Sequence, residues 1–224
     1  QIAIVPGIPE TYAAAIPTLR RPGEKFALKI KGQDKWGNPS DRCSGAVFLE
    51  ADGAIAGLPA SVTLKEGAFS LEVPGLCVAA PGRVSVTVKN ADGAVIARTN
   101  PLIIEDCDHV HFWGDIHGQS EETIGTGSAR EYFAFARDRA WVDACGHQGN
   151  DFQISDEFWA ELNRITAEFD APGSFVAMPG YEWSGNTALG GDRNVFFPNE
   201  GRTIRRSSHA LIEDQSTADT DCTT

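Results

Sequence analysis

Asp115, His117 and Gln119 are spaced two apart in Trp113-Gly114-Asp115-Ile116-His117-Gly118-Gln119-Ser120. Side chains at that spacing project from one face of an extended backbone, so a carboxylate, an imidazole and an amide can converge on one point. A second histidine lies in Gly146-His147-Gln148-Gly149-Asn150-Asp151, and a carboxylate in Gly180-Tyr181-Glu182-Trp183. Imidazole nitrogens and carboxylate oxygens together suit borderline divalent cations such as Mn, Fe or Zn. The chemistry these residues suggest is metal-assisted hydrolysis, in which a cation polarises the scissile group and lowers the pKa of a water.

Each residue has a bland alternative. His117 is expected as a metal ligand through a neutral ring nitrogen, against a loop histidine bonded to backbone. Asp115 either binds the cation or orients His117 from behind, and the second role is favoured. Gln119 is a weaker ligand, because its amide oxygen is neutral, and would also suit holding water or substrate. His147 reads as a ligand or an acid–base group, with Asn150 and Asp151 as helpers or as shapers of the turn. Glu182 reads as a bridging ligand, or else as a surface carboxylate. Gly190-Gly191-Asp192-Arg193-Asn194 adds a further carboxylate ligand in Asp192 and a substrate-facing pair in Arg193 and Asn194. Arg193 could clamp an anion with two parallel hydrogen bonds or pair with a neighbouring acid. His109 and His111 fall at the wrong end of the preceding apolar run for a site, and His209 reads as a loop residue. Cys145, near His147, has no basic cluster that would make it a thiolate.

The elements that must carry these residues change character near residue 105. From Glu24 to Ile104 the chain alternates: Phe26, Leu28 and Ile30 are interleaved with Lys25, Lys29 and Lys31, the mark of a half-buried strand. Val47/Leu49, Val62/Leu64, Phe69/Leu71/Val73 and Val84/Val86/Val88 repeat the pattern, with turns at Trp36-Gly37-Asn38-Pro39, Asp52-Gly53, Glu66-Gly67 and Asp92-Gly93. Roughly six or seven short strands so spaced predict an immunoglobulin-like sandwich, acting as a structural brace or as a partner- or glycan-binding module. Residues 1–23 read as an N-terminal extension or linker. Beyond Glu105, strands at Val110–Gly114, Trp141–Cys145, Phe175–Met178 and Asn194–Phe197 alternate with helices. The first helix follows the capping box Ser128-Ala129-Arg130-Glu131 and carries Tyr132, Phe133, Ala136 and Ala140. The second is capped by Ser155 and has an apolar stripe of Phe158, Trp159, Leu162, Ile165 and Phe169. That order predicts a parallel sheet, with a site at the carboxyl ends of its strands.

Composition narrows the function classes. The 224 residues carry a formal net charge of −12, which argues against nucleic-acid binding. No apolar run of about 18 residues exists to cross a membrane. Five cysteines (43, 77, 107, 145, 222) show no CxxC pair; the odd number leans towards a reducing, cytoplasmic compartment, and a Cys43–Cys77 pairing is left open. There is neither an initiating Met nor a signal-peptide pattern.

Taken in order, Gly-Asp-Ile-His-x-Gln-Ser, Gly-His-Gln-Gly-Asn-Asp, Pro-Gly-Tyr-Glu-Trp-Ser and Gly-Gly-Asp-Arg-Asn-Val resemble the PHP (polymerase and histidinol phosphatase) superfamily of metal-dependent hydrolases. The branch they are most similar to is bacterial, uncharacterised, and has an immunoglobulin-like segment before the PHP domain. The resemblance implies a distorted (β/α)7 barrel over residues 105–224, with two or three divalent metal ions at the strand ends. His117 matches the first residue of the family's His-x-His, with Gln119 at the place of the second. His147 matches the second motif's His, Glu182 the bridging Glu, and Asp192 falls near a later family His. The substitutions at Gln119 and Asp192 bear on whether the full metal set is kept.

Such a barrel takes about 250 residues, and 105–224 holds about half of that, so the expectation is a fragment of a longer protein, inactive alone. The expected function is a phosphoesterase-like metal-dependent hydrolase of a small-molecule substrate. In it Asp115, His147 and Arg193 serve catalysis, His117, Gln119, His147, Glu182 and Asp192 hold metal, and Arg193, Asn194 and Asp151 bind substrate. The alternative is a noncatalytic binding protein whose barrel has lost its metals.

Overall fold

The structure, a computed structural model, describes residues 5–185, 191–208 and 212. It is mostly β-strand with few helices and divides into two units, Gln1–Phe112 and Trp113–Thr224. His209 and Cys222 lie outside the described residues.

The described part of the first unit is all-β: β1 (Thr11–Ala15), β2 (Leu19–Arg20), β3 (Lys25–Gln33), β4 (Pro39–Ser40), β5 (Gly45–Ala51), β6 (Ser61–Leu64), β7 (Leu71–Cys77), β8 (Gly82–Val84), β9 (Val86–Lys89), β10 (Val95–Arg98) and β11 (Leu102–Ile104). β3 pairs antiparallel with β1, β4 and β7. A second sheet runs β10-β9-β5-β6 and a third β2-β11-β8. Phe26, Leu28 and Ile30 point inward as the alternation predicts, and pack with Val47, Leu49, Leu76, Val86, Val88 and Leu102 into one core. Burying each such side chain contributes roughly 1.5–3 kcal/mol.

Two features depart from the sequence reading. Part of the stretch read as extension or linker is strand, since β1 pairs with β3 and β2 with β11. The single run Val84/Val86/Val88 is broken at Ser85, whose amide and hydroxyl both donate to the Asp52 carboxylate at 2.6 Å. β8 therefore joins one sheet and β9 another. Residues 107–111 stay with the first unit because the Arg21 guanidinium donates to the carbonyls of Cys107 and Asp108, and Arg20 to that of His111. The cysteines at 43, 77, 107 and 145 are free thiols.

The second unit opens with a parallel sheet of β12 (Gly114–Gly118), β13 (Ala144–His147) and β14 (Val176–Met178). Between its strands come α1 (Ala129–Phe135), a π-helical turn at Ala136–Ala140, and α2 (Asp156–Phe169). The capping box forms in both directions: the Ser128 hydroxyl accepts from the Glu131 amide, and the Glu131 carboxylate accepts from the Ser128 amide. Ser155 caps α2 by accepting from the Phe158 amide at 3.1 Å. Trp159, Leu162, Ile165 and Phe169 of α2 are buried with Phe133 and Phe175 in the unit's own core.

The first two strands of this unit sit later in the chain than predicted. Asp143 takes the Trp113 amide on its carboxylate at 2.8 Å, and the ladder begins only at Gly114 opposite Ala144. Val110 to Trp113 is therefore not strand, and His109 and His111 precede the sheet. Trp141, with φ 67°, closes the π-helical turn instead of opening β13.

The predicted barrel is not what the described residues build. Parallel neighbours need a crossover of about a dozen residues, and only Pro179 separates β14 from β15 (Gly180–Trp183). β15 pairs antiparallel with β16 (Arg193–Phe196), so the expected fourth parallel strand is one arm of a hairpin. Among the described residues no helix is long and apolar enough to cross a membrane.

Candidate functional site

The hairpin register places Asn194 directly opposite Glu182, and facing residues of an antiparallel pair share one side of the sheet. His117, on β12, meets both. Its Nδ1 lies 2.9 Å from Asn194 Oδ1, and its Nε2 lies 3.7 Å from Glu182 Oε1. The amide orientation of Asn194 is fixed by a second bond, Nδ2 donating to the Ile116 carbonyl at 3.1 Å. A carbonyl only accepts, so Oδ1 faces His117 and the imidazole must donate from Nδ1. The neutral ring is then the Nδ1–H tautomer, with the Nε2 lone pair turned towards Glu182.

Glu182 is buried, and its second oxygen is held by amides. Oε2 accepts from Asn150 Nδ2 at 2.8 Å and from Gln119 Nε2 at 3.2 Å. Asn150 also donates to Ser184 Oγ, and its Oδ1 accepts from Gln119. Gln119 Oε1 accepts from Thr123 Oγ1 at 2.9 Å. Gln119 thus turns its NH2 towards the cluster and its oxygen away, the reverse of what a metal ligand needs. Its part is to polarise and hold the Glu182 carboxylate.

His147 is 1% exposed and has both ring nitrogens engaged. Nδ1 accepts from the Gly149 amide at 3.2 Å, and Nε2 lies 2.7 Å from Ser120 Oγ. A backbone amide only donates, so the proton sits on Nε2 and goes to Ser120. The rings of Tyr132 and Phe158 pack edge-on against the imidazole. Burial, opposed only weakly by Glu122, lowers its pKa to about 4. The ring's one available lone pair, on Nδ1, is taken by the Gly149 amide, so the expected ligand and acid–base roles do not match this geometry; the histidine ties the β12 and β13 loops together. Cys145 is equally enclosed, and burial is the main reason its thiol is pushed up to about 12.

Other predicted residues are placed elsewhere. The Asp115 carboxylate accepts the backbone amide of His117 at 3.1 Å and does not orient the ring. Asp151 is fully buried and accepts the amides of Ser184 and Ser207, tying two segments together and facing no substrate space. Asp192 and Arg193 are exposed at the start of β16, and Arg193 Nη1 donates to the carbonyls of Gly191 and Asp192. Among the described residues no three His, Cys, Asp or Glu side chains gather as a metal-holding group. His117 and Glu182 form a pair, with Asn150, Gln119, Asn194 and Ser184 around them.

Sequence reasoning missed Ser120, Thr123 and Ser184, and it missed Arg206. That guanidinium, three residues before His209, is 1% exposed and donates to the Ile154 carbonyl and to Asp156. The buried Ile204 two residues before it is the one local hint of alternation.

Residues 95–221 match the family described as "Protein of unknown function (DUF3604)". The chain belongs to that family. The DUF3604 match takes in every residue of the site, and it overturns the resemblance to the PHP superfamily: the family matched is a different one, and the described strands form no barrel. An uncharacterised protein of Chlamydia pneumoniae is 21% identical over 185 residues, covering 80% of this chain. The chain spans 30% of that relative's length. Among solved structures, the D00-D0 domain of intimin is 18% identical with a TM-score of 0.32, covering 46% of this chain and 50% of its own. A cycloisomaltooligosaccharide glucanotransferase of Paenibacillus sp. is 13% identical with a TM-score of 0.27, covering 63% of this chain and 20% of its own.

Proposed function

We propose that the second unit belongs to a metal-dependent hydrolase, with His117 Nε2 and Glu182 Oε1 as the protein donors for a divalent cation. The observation that carries this reading is the 3.7 Å approach of an imidazole nitrogen and a carboxylate oxygen whose other polar atoms are already bonded. One imidazole and one carboxylate suit Mn, Fe or Zn. A cation bound there would supply Lewis acidity and bring the pKa of a water towards neutrality.

The chain's own residues have separate tasks. Asn150 and Gln119 hold the Glu182 carboxylate pointing at His117. Arg193, the sequence neighbour of Asn194, carries a guanidinium suited to an anionic substrate such as a phosphate ester. In this reading the first unit is an immunoglobulin-like brace.

Metal content of the purified chain, measured by elemental analysis after exposure to Mn2+, Fe2+ or Zn2+, tests the proposal. Binding should be lost in His117→Ala and in Glu182→Gln. Metal content undiminished in both variants overturns it. The second reading, a noncatalytic binding protein, draws on Gln119, which presents its NH2 to Glu182 and turns its oxygen to Thr123. A folded chain that takes up no divalent cation and turns over no phosphoester favours that reading.

A further inference from the structure

We infer that Asn194 is a positioning residue for this site: it fixes His117 as the Nδ1–H tautomer and thereby aims the Nε2 lone pair at Glu182. The inference rests on the cation-binding reading for its purpose, though not for its geometry. A neutral imidazole in water favours the proton on Nε2. That form would set the Nδ1 lone pair against Asn194 Oδ1 at 2.9 Å, two acceptors with no proton between them. Asn194 cannot relieve the clash by turning its amide, because Nδ2 would then leave the Ile116 carbonyl and Oδ1 would face another acceptor. Its backbone is held in place by the β15–β16 ladder, which also carries Glu182.

Among the described residues, the hydrogen bond on that side of the His117 ring is the one to Asn194. The Asp115 carboxylate, the neighbour expected to orient the ring, is used on the His117 backbone amide. One hydrogen bond from a strand-borne amide therefore decides which nitrogen a cation meets. Partners that orient ligating imidazoles this way typically contribute 10–100-fold to metal affinity.

The test reads the tautomer directly. In the full 224-residue chain labelled with 15N-histidine and free of metal, the His117 signals (assigned by their loss in His117→Ala) should show the proton on Nδ1 at a pH where the ring is neutral. Asn194→Ala should move the proton largely to Nε2 and weaken Zn2+ binding by calorimetry about 10–100-fold. Asn194→Asp, which keeps an acceptor facing Nδ1, should retain the Nδ1–H form, and it carries the test if the alanine variant does not fold. A wild-type ring protonated on Nε2, an unchanged tautomer in Asn194→Ala, or an Nε2–H ring in Asn194→Asp overturns the inference. Failure of Zn2+ to bind to a wild-type chain with the Nδ1–H ring overturns the cation-binding reading and leaves the positioning by Asn194 standing.

Discussion

The imidazole of His147 and the hydroxyl of Ser120 meet at 2.7 Å inside the second unit, both enclosed by protein. The ring is neutral there because burial lowers its pKa from 6.5 to about 4. Between those values the unfolded chain binds a proton that the folded chain does not, so stability rises with pH across the window. The contribution is fully present above pH 6.5 and is lost as pH falls towards 4, amounting to about 3 kcal/mol at most. Urea unfolding followed by tryptophan fluorescence should show this loss, since four of the five tryptophans lie in the second unit. His147→Leu should flatten the dependence in that window. A slope unchanged by the substitution would remove His147 as its source.

What could be read from the sequence was whatever depends on local periodicity. The alternation at Phe26, Leu28 and Ile30, the Ser128–Glu131 capping box and the stripe from Trp159 to Phe169 each state their own geometry within a few residues. The partners of His117 could not be read in this way. Asn194 lies 77 positions away and reaches the ring only because β15 and β16 form a hairpin whose register sets it opposite Glu182. The enclosure of His147 is equally invisible in its local sequence. A polar turn rich in glycine suggests an open strand end, and nothing local says that Ser120, Tyr132 and Phe158 will close over it. The PHP-like motif order misled similarly, since it lists residue types in sequence without fixing how β14, β15 and β16 connect.

Gly118 should resist any side chain. A Cβ at this position would clash with the hydroxyl end of the Tyr132 ring, and Tyr132 is itself held by its hydroxyl, which donates towards the carbonyls of Asp115 and Gly146 at 3.3 Å. Gly118→Ala should therefore lower stability by about 1–3 kcal/mol, the usual cost of overpacking. Adding Tyr132→Ala should recover part of that loss, so that the two substitutions combine non-additively. Thermal melts of the single and double variants decide it: strict additivity would mean that the ring is not what excludes a side chain from position 118.

Asp151 should matter for order in the segments around the site while leaving the chemistry of His117 and Glu182 untouched. Its two oxygens serve different segments, Oδ1 taking the Ser184 amide at 2.9 Å and Oδ2 the Ser207 amide. Asp151→Ala strands two backbone donors, and each unsatisfied buried donor costs about 1–3 kcal/mol. Asp151→Asn keeps a single acceptor oxygen and should lose roughly half as much. The order of stability is thus wild type, then asparagine, then alanine. The loosened segments are those around residues 184 and 207, so amide hydrogen exchange in the alanine variant should quicken there and remain slow in α2, whose Ser155 cap and apolar face are independent of Asp151. Equal effects of the two substitutions would indicate that one of the amides does not depend on the carboxylate.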